Sequence, residues 1–128
     1  MAEAEAPKQI TLTGTKGALK LSLSPPASLA LRYEVTYAVV ESEPRAVAAA
    51  LGLCSPAVRK HVPYDHGSVL QYGQRVMDWL LAEGVPWFDA LNAGRIAWRH
   101  CSSGVVSERE VAETEGFFAP TEAASTGS

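Results

Sequence analysis

The chain of 128 residues has the length of one ordinary domain, with 47 % hydrophobic and 20 % charged residues, a composition typical of globular rather than disordered proteins. Its formal net charge of −3 gives no electrostatic basis for binding nucleic acid. No apolar run approaches the roughly 18 residues of a membrane span, and the acidic start Met1–Pro7 is unlike a secretion signal. We therefore expect a cytoplasmic domain that binds neither nucleic acid nor membrane.

The two ends and the first ordered element are readily distinguished. Residues 1–8 and 119–128 are short stretches of small residues without apolar periodicity, so we expect a disordered leader and tail around a single domain at 9–118.

Apolar and polar residues then alternate on both sides of Gly14-Thr15-Lys16-Gly17, which predicts a β-hairpin with one apolar face. The apolar positions are Ile10, Leu12, Leu19, Leu21 and Leu23. Because two strands alone are marginally stable in water, we expect this face to pack on the helices that follow.

Residues 28–41 fit two periodicities. One side of a strand would carry Leu29, Leu31, Tyr33, Val35, Tyr37 and Val39, and one side of a helix would carry Leu29, Tyr33, Thr36, Tyr37 and Val40. We favour the helix because the segment is long for one strand and contains no turn signal. A second, short helix is predicted from a cap at Ser42 to a stop at Gly52, followed by a loop from Cys54 to Gly67 that contains two prolines.

The clearest pattern in the chain begins at Ser68. Apolar residues recur there with helical spacing: Val69, Tyr72, Gly73, Val76, Met77 and Leu80. Gly84 is predicted to end this helix, and Pro86 to start another that runs to about His100, so that the two pack antiparallel with close approach at Gly94. A capping box at Ser107 and Glu110 predicts a last short helix to about Gly116. The expected fold is α+β, with an N-terminal β-hairpin packed on a bundle of four to five short helices.

Few residues suggest catalysis or metal binding. Ligand atoms are available on His61, Asp65, His66, His100, Cys54 and Cys101. None of these residues has the spacing typical of zinc sites, so we predict no metal and no cofactor, and reduced thiols rather than a disulfide. No serine or cysteine has flanking residues typical of a nucleophile, and no catalytic residue is assigned. A small metal- or thiol-dependent enzyme is therefore a less favoured hypothesis.

Aromatic and arginine side chains are the candidates for partner binding. Trp79 lies off the apolar side of its helix, and Arg95 and Arg99 form a basic pair on the next helix. Each of these side chains fits ordinary packing or a solvated helix face. Each also fits contact with a protein partner, because tryptophan and arginine contribute strongly to binding energy. The predicted partner-binding residues are Trp79, Trp87, Arg95 and Arg99.

Four stretches carry a family resemblance. They are residues 45–56 (RAVAAALGLCSP), 72–85 (YGQRVMDWLLAEGV), 91–98 and 107–118 (SEREVAETEGFF). Together they resemble the tail assembly chaperones of long-tailed, siphovirus-like bacteriophages and prophages, over about residues 29–118 and without the N-terminal hairpin.

The resemblance implies a non-enzymatic protein of the host cytoplasm that binds the tape-measure protein and helps the tail-tube protein to assemble. Members of that family often self-associate, and a longer form often arises by programmed frameshift, for which residues 119–128 are the expected place. A structural head–tail connector or neck protein of a phage particle is the alternative. A nucleic-acid-binding bacterial regulator is a further, less favoured one.

Overall fold

Two strands and five helices follow one another in the computed structural model, which describes residues 8–65 and 67–103. They are β1 (Lys8–Gly14), β2 (Gly17–Leu23), α1 (Leu29–Ala38), α2 (Glu43–Cys54), α3 (Pro56–His61), α4 (Val69–Ala82) and α5 (Trp87–Ser102). The strands form an antiparallel hairpin packed on the helices, which confirms the predicted α+β class. Strand β1 begins at Lys8, one residue before the predicted start of the domain. The helix predicted at 107–116 and the tail at 119–128 lie outside the described residues.

The β-hairpin has the predicted turn and the predicted apolar face. Leu12 pairs with Leu19 across the strands, and the turn is Thr15-Lys16. The side chains at Leu12, Leu21 and Leu23 are buried, while Ile10 and Leu19 are half-buried against the same core. Beyond β2, the Ser24 N–H donates to the Cys54 carbonyl over 3.0 Å, which joins the end of the hairpin to the end of α2.

The tip of the hairpin is fixed to the turn between α4 and α5 by two glycines. A Cβ atom on Gly14 would lie 2.3 Å from the Glu83 carbonyl oxygen, so only glycine fits there. Gly84 has φ of +83°, the left-handed conformation predicted for the end of α4, and a Cβ on it would collide with Thr15. The Lys16 N–H donates to the Glu83 carbonyl over 3.4 Å. The hairpin turn and the α4–α5 turn are thus linked through backbone contacts.

Helix α2 is the centre of the helical layer. Nine consecutive residues, Ala46 to Cys54, are buried, and α2 packs extensively along both α4 and α5. Helices α4 and α5 contact each other only slightly, so the prediction that they pack on each other is wrong. The close approach predicted at Gly94 is confirmed, but it is made to Val47 of α2. Small side chains along α2 allow α4 and α5 to approach it closely. The packing of both helices on α2 therefore outweighs the tendency of two helices joined by a short connection to pack on each other.

Two boundaries also differ from prediction. Helix α2 does not stop at Gly52 but runs to Cys54. Gly52 instead allows the Tyr72 ring to lie against α2, since a Cβ there would be 2.4 Å from the hydroxyl oxygen. The predicted loop contains α3, which begins with the side chain of Ser55 accepting from the Val58 N–H over 3.2 Å. Six residues are too few to show a helical period, which explains why the pattern predicted a loop.

Tyr72 is fully buried at the junction of α4 with α2 and the segment after α3. Its hydroxyl donates to the Val62 carbonyl over 2.7 Å, and the ring of Tyr64 packs edge-on against it with centroids 5.2 Å apart. Burial raises the pKa of Tyr72 from 10.0 to about 12. The folded chain therefore keeps this proton at pH values where the unfolded chain loses it, and the resulting stabilisation is complete below pH 10 and lost as the pH rises towards 12.

Replacing Tyr72 by phenylalanine tests both consequences. We expect Tyr72→Phe to lower the free energy of unfolding at pH 7 by about 1–2 kcal/mol, because the Val62 carbonyl loses its buried donor. We also expect the fall in stability between pH 10 and pH 12 to become shallower, because one titrating group is gone. Urea unfolding of both proteins at pH 7 and at pH 11 measures the two effects. Parallel stability curves over that pH range would contradict the assignment.

Candidate protein-binding surface

The predicted contact residues do not form one continuous surface. Trp79 is half-buried on α4 and stacks on His61 of α3, with ring centroids 4.9 Å apart and an interplanar angle of 17°. Trp87, Arg95 and Arg99 lie on α5. Trp79 therefore packs within the chain, against a helix that follows α2, and the other three belong to a separate element.

The two arginines of α5 have different surroundings. Nε of the half-buried Arg95 donates to Glu43 Oε2 over 2.6 Å, which ties α5 to the first turn of α2. A carboxylate in a first helical turn is itself favourable, so this pair stabilises the α2–α5 contact. Arg99 is exposed, and it lines a shallow depression together with Lys8, His100 and Ser103.

Helix α1 is apolar on two sides. Its inner side carries Val35, Thr36 and Val39, each at most 2 % exposed, and the indole N–H of Trp98 donates to the Thr36 carbonyl over 3.1 Å. Its outer side carries Leu29, Tyr33 and Tyr37, and the turn that directly follows α1 adds Val40; these four large residues are 44–61 % exposed. Their spacing of four, four and three residues places them along one side of a helix. We call these four residues the outer stripe.

The outer stripe explains why residues 28–41 fit two periods. The predicted helix is confirmed, but its apolar residues surround most of the helix, and Thr36 lies on the inner side. A helix that is apolar all round is normally buried on all sides, whereas half of α1 faces solvent. Tyr33 and Tyr37 stack on each other with ring centroids 6.4 Å apart. The overlap of the strand and helix periodicities in residues 28–41 already indicated that α1 has apolar residues on more than one side. No contact residue was predicted in the outer stripe.

A second apolar area lies at the turn between α4 and α5. It consists of Leu81 on one side of the turn and Trp87 and Phe88 on the other, which are 47 %, 39 % and 73 % exposed. We call these three residues the turn patch. Trp87 also closes a small cavity of about 10 Å³ over Leu80 and Met77, so this predicted contact residue has a structural role as well as an exposed edge.

The two cysteines lie together in the core. Cys54 and Cys101 are buried thiols with their Sγ atoms 3.3 Å apart, at the end of α2 and in the last turn of α5. The hydrogen bond with Cys54 and burial raise the pKa of Cys101. Since the thiolate is the nucleophilic form, this upward shift favours the less reactive thiol. Its contribution is to the packing of α2 on α5.

The remaining polar groups offer little for chemistry. Among residues 8–65 and 67–103, no group of three or more His, Cys, Asp and Glu side chains is placed to hold a metal ion. A backbone hydrogen bond from Gly67 and the Arg75 charge lower the pKa of Asp65, which is fully exposed. An open cleft of about 500 Å³ beside Pro25 and Tyr64 contains one cation, Arg59, whose guanidinium bonds the Leu53 carbonyl at the end of α2. His66 lies outside the described residues.

Comparisons with known protein families, with curated proteins and with solved structures found no match. In the described part of the chain, no helix is both long enough and apolar enough to cross a membrane. The distribution of exposed apolar side chains is therefore the feature on which a functional proposal rests.

Proposed function

We propose that this protein is a non-enzymatic tail assembly chaperone of a long-tailed phage or prophage, which binds the tape-measure protein in the host cytoplasm and aids assembly of the tail tube. The observation that carries the proposal is the outer stripe of α1, because four large apolar residues in helical spacing on a solvent-facing side are typical of a protein-binding surface. The similarity of residues 45–56 and 72–85 to that family supplies the identity of the client.

The geometry of the outer stripe suits a helical client. Two helices pack by interdigitating side chains spaced three and four residues apart, and the stripe presents such a row over about 16 Å at 1.5 Å per residue. Tyrosine suits a surface that alternates between solvent and partner, because its ring supplies contact area while its hydroxyl remains hydrated. A row of four residues is also short enough to release its client, which an assembly chaperone must do.

The turn patch is a second contact area for the same client. Phe88 is the most exposed large apolar side chain described, and Trp87 beside it was predicted from the sequence as a contact residue. A long helical protein can engage two areas of one chaperone, and the second contact then forms at high effective concentration. Both areas should therefore contribute to binding.

Removing the outer stripe should weaken client binding without unfolding the chain. The double variant Tyr33→Ser, Val40→Ser replaces two exposed side chains, and we expect it to raise the dissociation constant for the tape-measure protein about tenfold or more, the effect of ~1.4 kcal/mol. The measurement is co-expression of the tape-measure protein with either chain, followed by titration of the soluble complex. The tape-measure protein should be soluble with the native chain and largely insoluble with the variant.

Two controls define what the result means. Lys20→Ser, on an exposed position of β2, should leave solubility unchanged. Tape-measure protein that is equally soluble with and without this chain would contradict the proposal. Detection of the chain in stoichiometric amount in purified particles would favour a structural connector instead.

A further inference from the structure

Two thiols from distant parts of the chain meet in the core. Cys54 is the last residue of α2, and Cys101 lies in the last turn of α5, 47 residues further on. Both are fully buried, and both are thiols. Their Sγ atoms are 3.3 Å apart, a contact in which either thiol can be the hydrogen-bond donor. The two sulfur atoms are therefore neighbours before any reaction takes place.

Only a short step separates this contact from a covalent bond. The Sγ atoms of a disulfide are about 2.05 Å apart, so atoms that start at 3.3 Å must approach each other by about 1.2 Å. Small rotations of the two side chains about their Cα–Cβ bonds, within one rotamer well, are of this order. Helices α2 and α5 already pack along each other, with Val47 against Gly94. Neither helix has to move for the bond to form.

We propose that Cys54 and Cys101 form a reversible disulfide site, which low-molecular-weight disulfides such as oxidised glutathione convert into a covalent link between the ends of α2 and α5. One protein thiolate attacks a sulfur of oxidised glutathione, which forms a mixed disulfide and releases one glutathione thiolate. The second protein thiolate attacks the protein sulfur of the mixed disulfide and releases the other glutathione. The two cysteine protons pass to the two glutathione thiolates, and the two electrons lost by the cysteines reduce the glutathione disulfide. This site is independent of the proposed function.

Burial makes the exchange depend on a local opening of the fold. The thiolate is the attacking form, and the hydrogen bond with Cys54 and burial raise the pKa of Cys101, so the closed core protects this thiol. The last turn of a helix opens more readily than its middle. In α5 that turn is held by Arg32, whose Nε donates to the Cys101 carbonyl over 3.2 Å and whose Nη2 donates to the Ser103 carbonyl. We therefore expect Arg32 to control the rate of oxidation without changing its product.

The bond stabilises the native chain chiefly by restricting the unfolded one. It would close a loop between positions 47 residues apart, and a link of this length typically raises the midpoint temperature of unfolding by about 10 °C. Fixing Cys101 also fixes the turn that carries Ser102, whose hydroxyl lies 3.1 Å from that of Thr36 on α1. Oxidation should therefore strengthen the attachment of α5 to α1 as well as to α2.

The mass and the stability of the native chain test the site. The chain is incubated with excess oxidised glutathione in the absence of denaturant, and its mass and unfolding midpoint are measured before and after. We expect the loss of two hydrogen atoms, a linked pair of proteolytic fragments that contain Cys54 and Cys101, and the higher midpoint. Dithiothreitol should reverse all three. Two surviving thiols, a disulfide that forms only in urea, or an oxidised chain that is no more stable than the reduced one would overturn the proposal.

Two variants separate proximity in the fold from the mere presence of two cysteines. Cys101→Ser leaves one thiol, so the oxidant should not raise its unfolding midpoint. Cys54→Ala with Lys16→Cys keeps two cysteines but moves one to the hairpin turn, where the Lys16 N–H donates to the Glu83 carbonyl over 3.4 Å. That turn lies near the start of α5, about 20 Å of helix from Cys101, and we expect no bond within this chain. A disulfide that forms as readily there as in the native chain would show that pairing occurs through unfolding and would overturn the proposal.

The rate of oxidation tests the route of access. Arg32→Gln weakens the attachment of the last turn of α5, and we expect the disulfide to form several-fold faster without denaturant. Gly73→Ala crowds α4 against Arg45 at the opposite end of α2 from the thiols and should accelerate the reaction less. Equal acceleration by both variants, or none by Arg32→Gln, would refute the opening of α5 as the route. The mass of the oxidised native chain would still decide the site itself.

Discussion

Replacing Trp98 by alanine is expected to lower the free energy of unfolding by about 3–5 kcal/mol, the range for truncating a large aromatic side chain in a core. Trp98 is the largest fully buried side chain in the described part of the chain. It lies on α5 between α1 and α2, and its indole N–H donates to the Thr36 carbonyl over 3.1 Å. Alanine would leave both a cavity and an unpaired carbonyl, so the two losses add. Urea or thermal unfolding measures the change.

A second tryptophan on the same helix provides the matched control. Trp87 is 39 % exposed and makes no buried hydrogen bond to α1. We therefore expect Trp87→Ala to lower the free energy of unfolding by less than half as much as Trp98→Ala. Trp98→Phe keeps a ring in the core and should fall between the two. If Trp98→Ala fails to fold, Trp98→Phe still yields a measurable loss. A loss for Trp98→Ala no larger than that for Trp87→Ala would contradict the packing described for α5.

The hairpin and α4 could be predicted because their signals are local. Alternating leucines specify one face of β1 and β2, and Gly84 marks the end of α4 through a backbone conformation that other residues rarely adopt. Helix α4 has the predicted buried side, apart from Met77, which is half-buried. In such elements the periodicity and the caps agree, so the fold class follows from the sequence.

The arrangement of the helices could not be predicted in the same way. Helix α2 is a run of small residues without a polar side, and nothing in its sequence indicates that it lies between α4 and α5. Short connections favour packing of neighbours in sequence, and this led to the wrong partner for α4. The contacts that decide the arrangement join positions such as Gly94 and Val47, which are far apart in the chain.

The candidate surface was predictable only in part. Trp87 was predicted as a contact residue and is 39 % exposed, but Trp79 stacks on His61 of a helix that the sequence did not reveal. The partner of Arg95 is Glu43, 52 residues away, and no local pattern links them. For α1 the periodicity gave the helix but not its orientation, because Val35 and Tyr33 are both apolar and only the packing of Trp98 on Thr36 determines which side is inside.

Gly73 provides a prediction in which two physical effects have opposite signs. Alanine in place of glycine stabilises an ordinary helix by about 1 kcal/mol. In α4, however, a Cβ on Gly73 would lie 1.9 Å from the backbone carbonyl oxygen of Arg45 and 2.7 Å from its carbon. A backbone atom cannot rotate away as a side chain can, so α2 and α4 must move apart, and overpacking of this kind typically costs about 1–3 kcal/mol or more. We expect Gly73→Ala to be destabilising overall.

The sign of the change in the unfolding midpoint decides between the two effects. Gln71→Ala, two residues earlier on the exposed side of α4, changes helix propensity without crowding α2 and should shift the free energy of unfolding by less than about 0.5 kcal/mol. Because α2 also contacts α5, a shift of α2 should reach the Gly94–Val47 contact, and adding Gly94→Ala should cost less than the sum of the two single variants. A Gly73→Ala variant more stable than the native chain would show that α2 and α4 do not approach each other at this position.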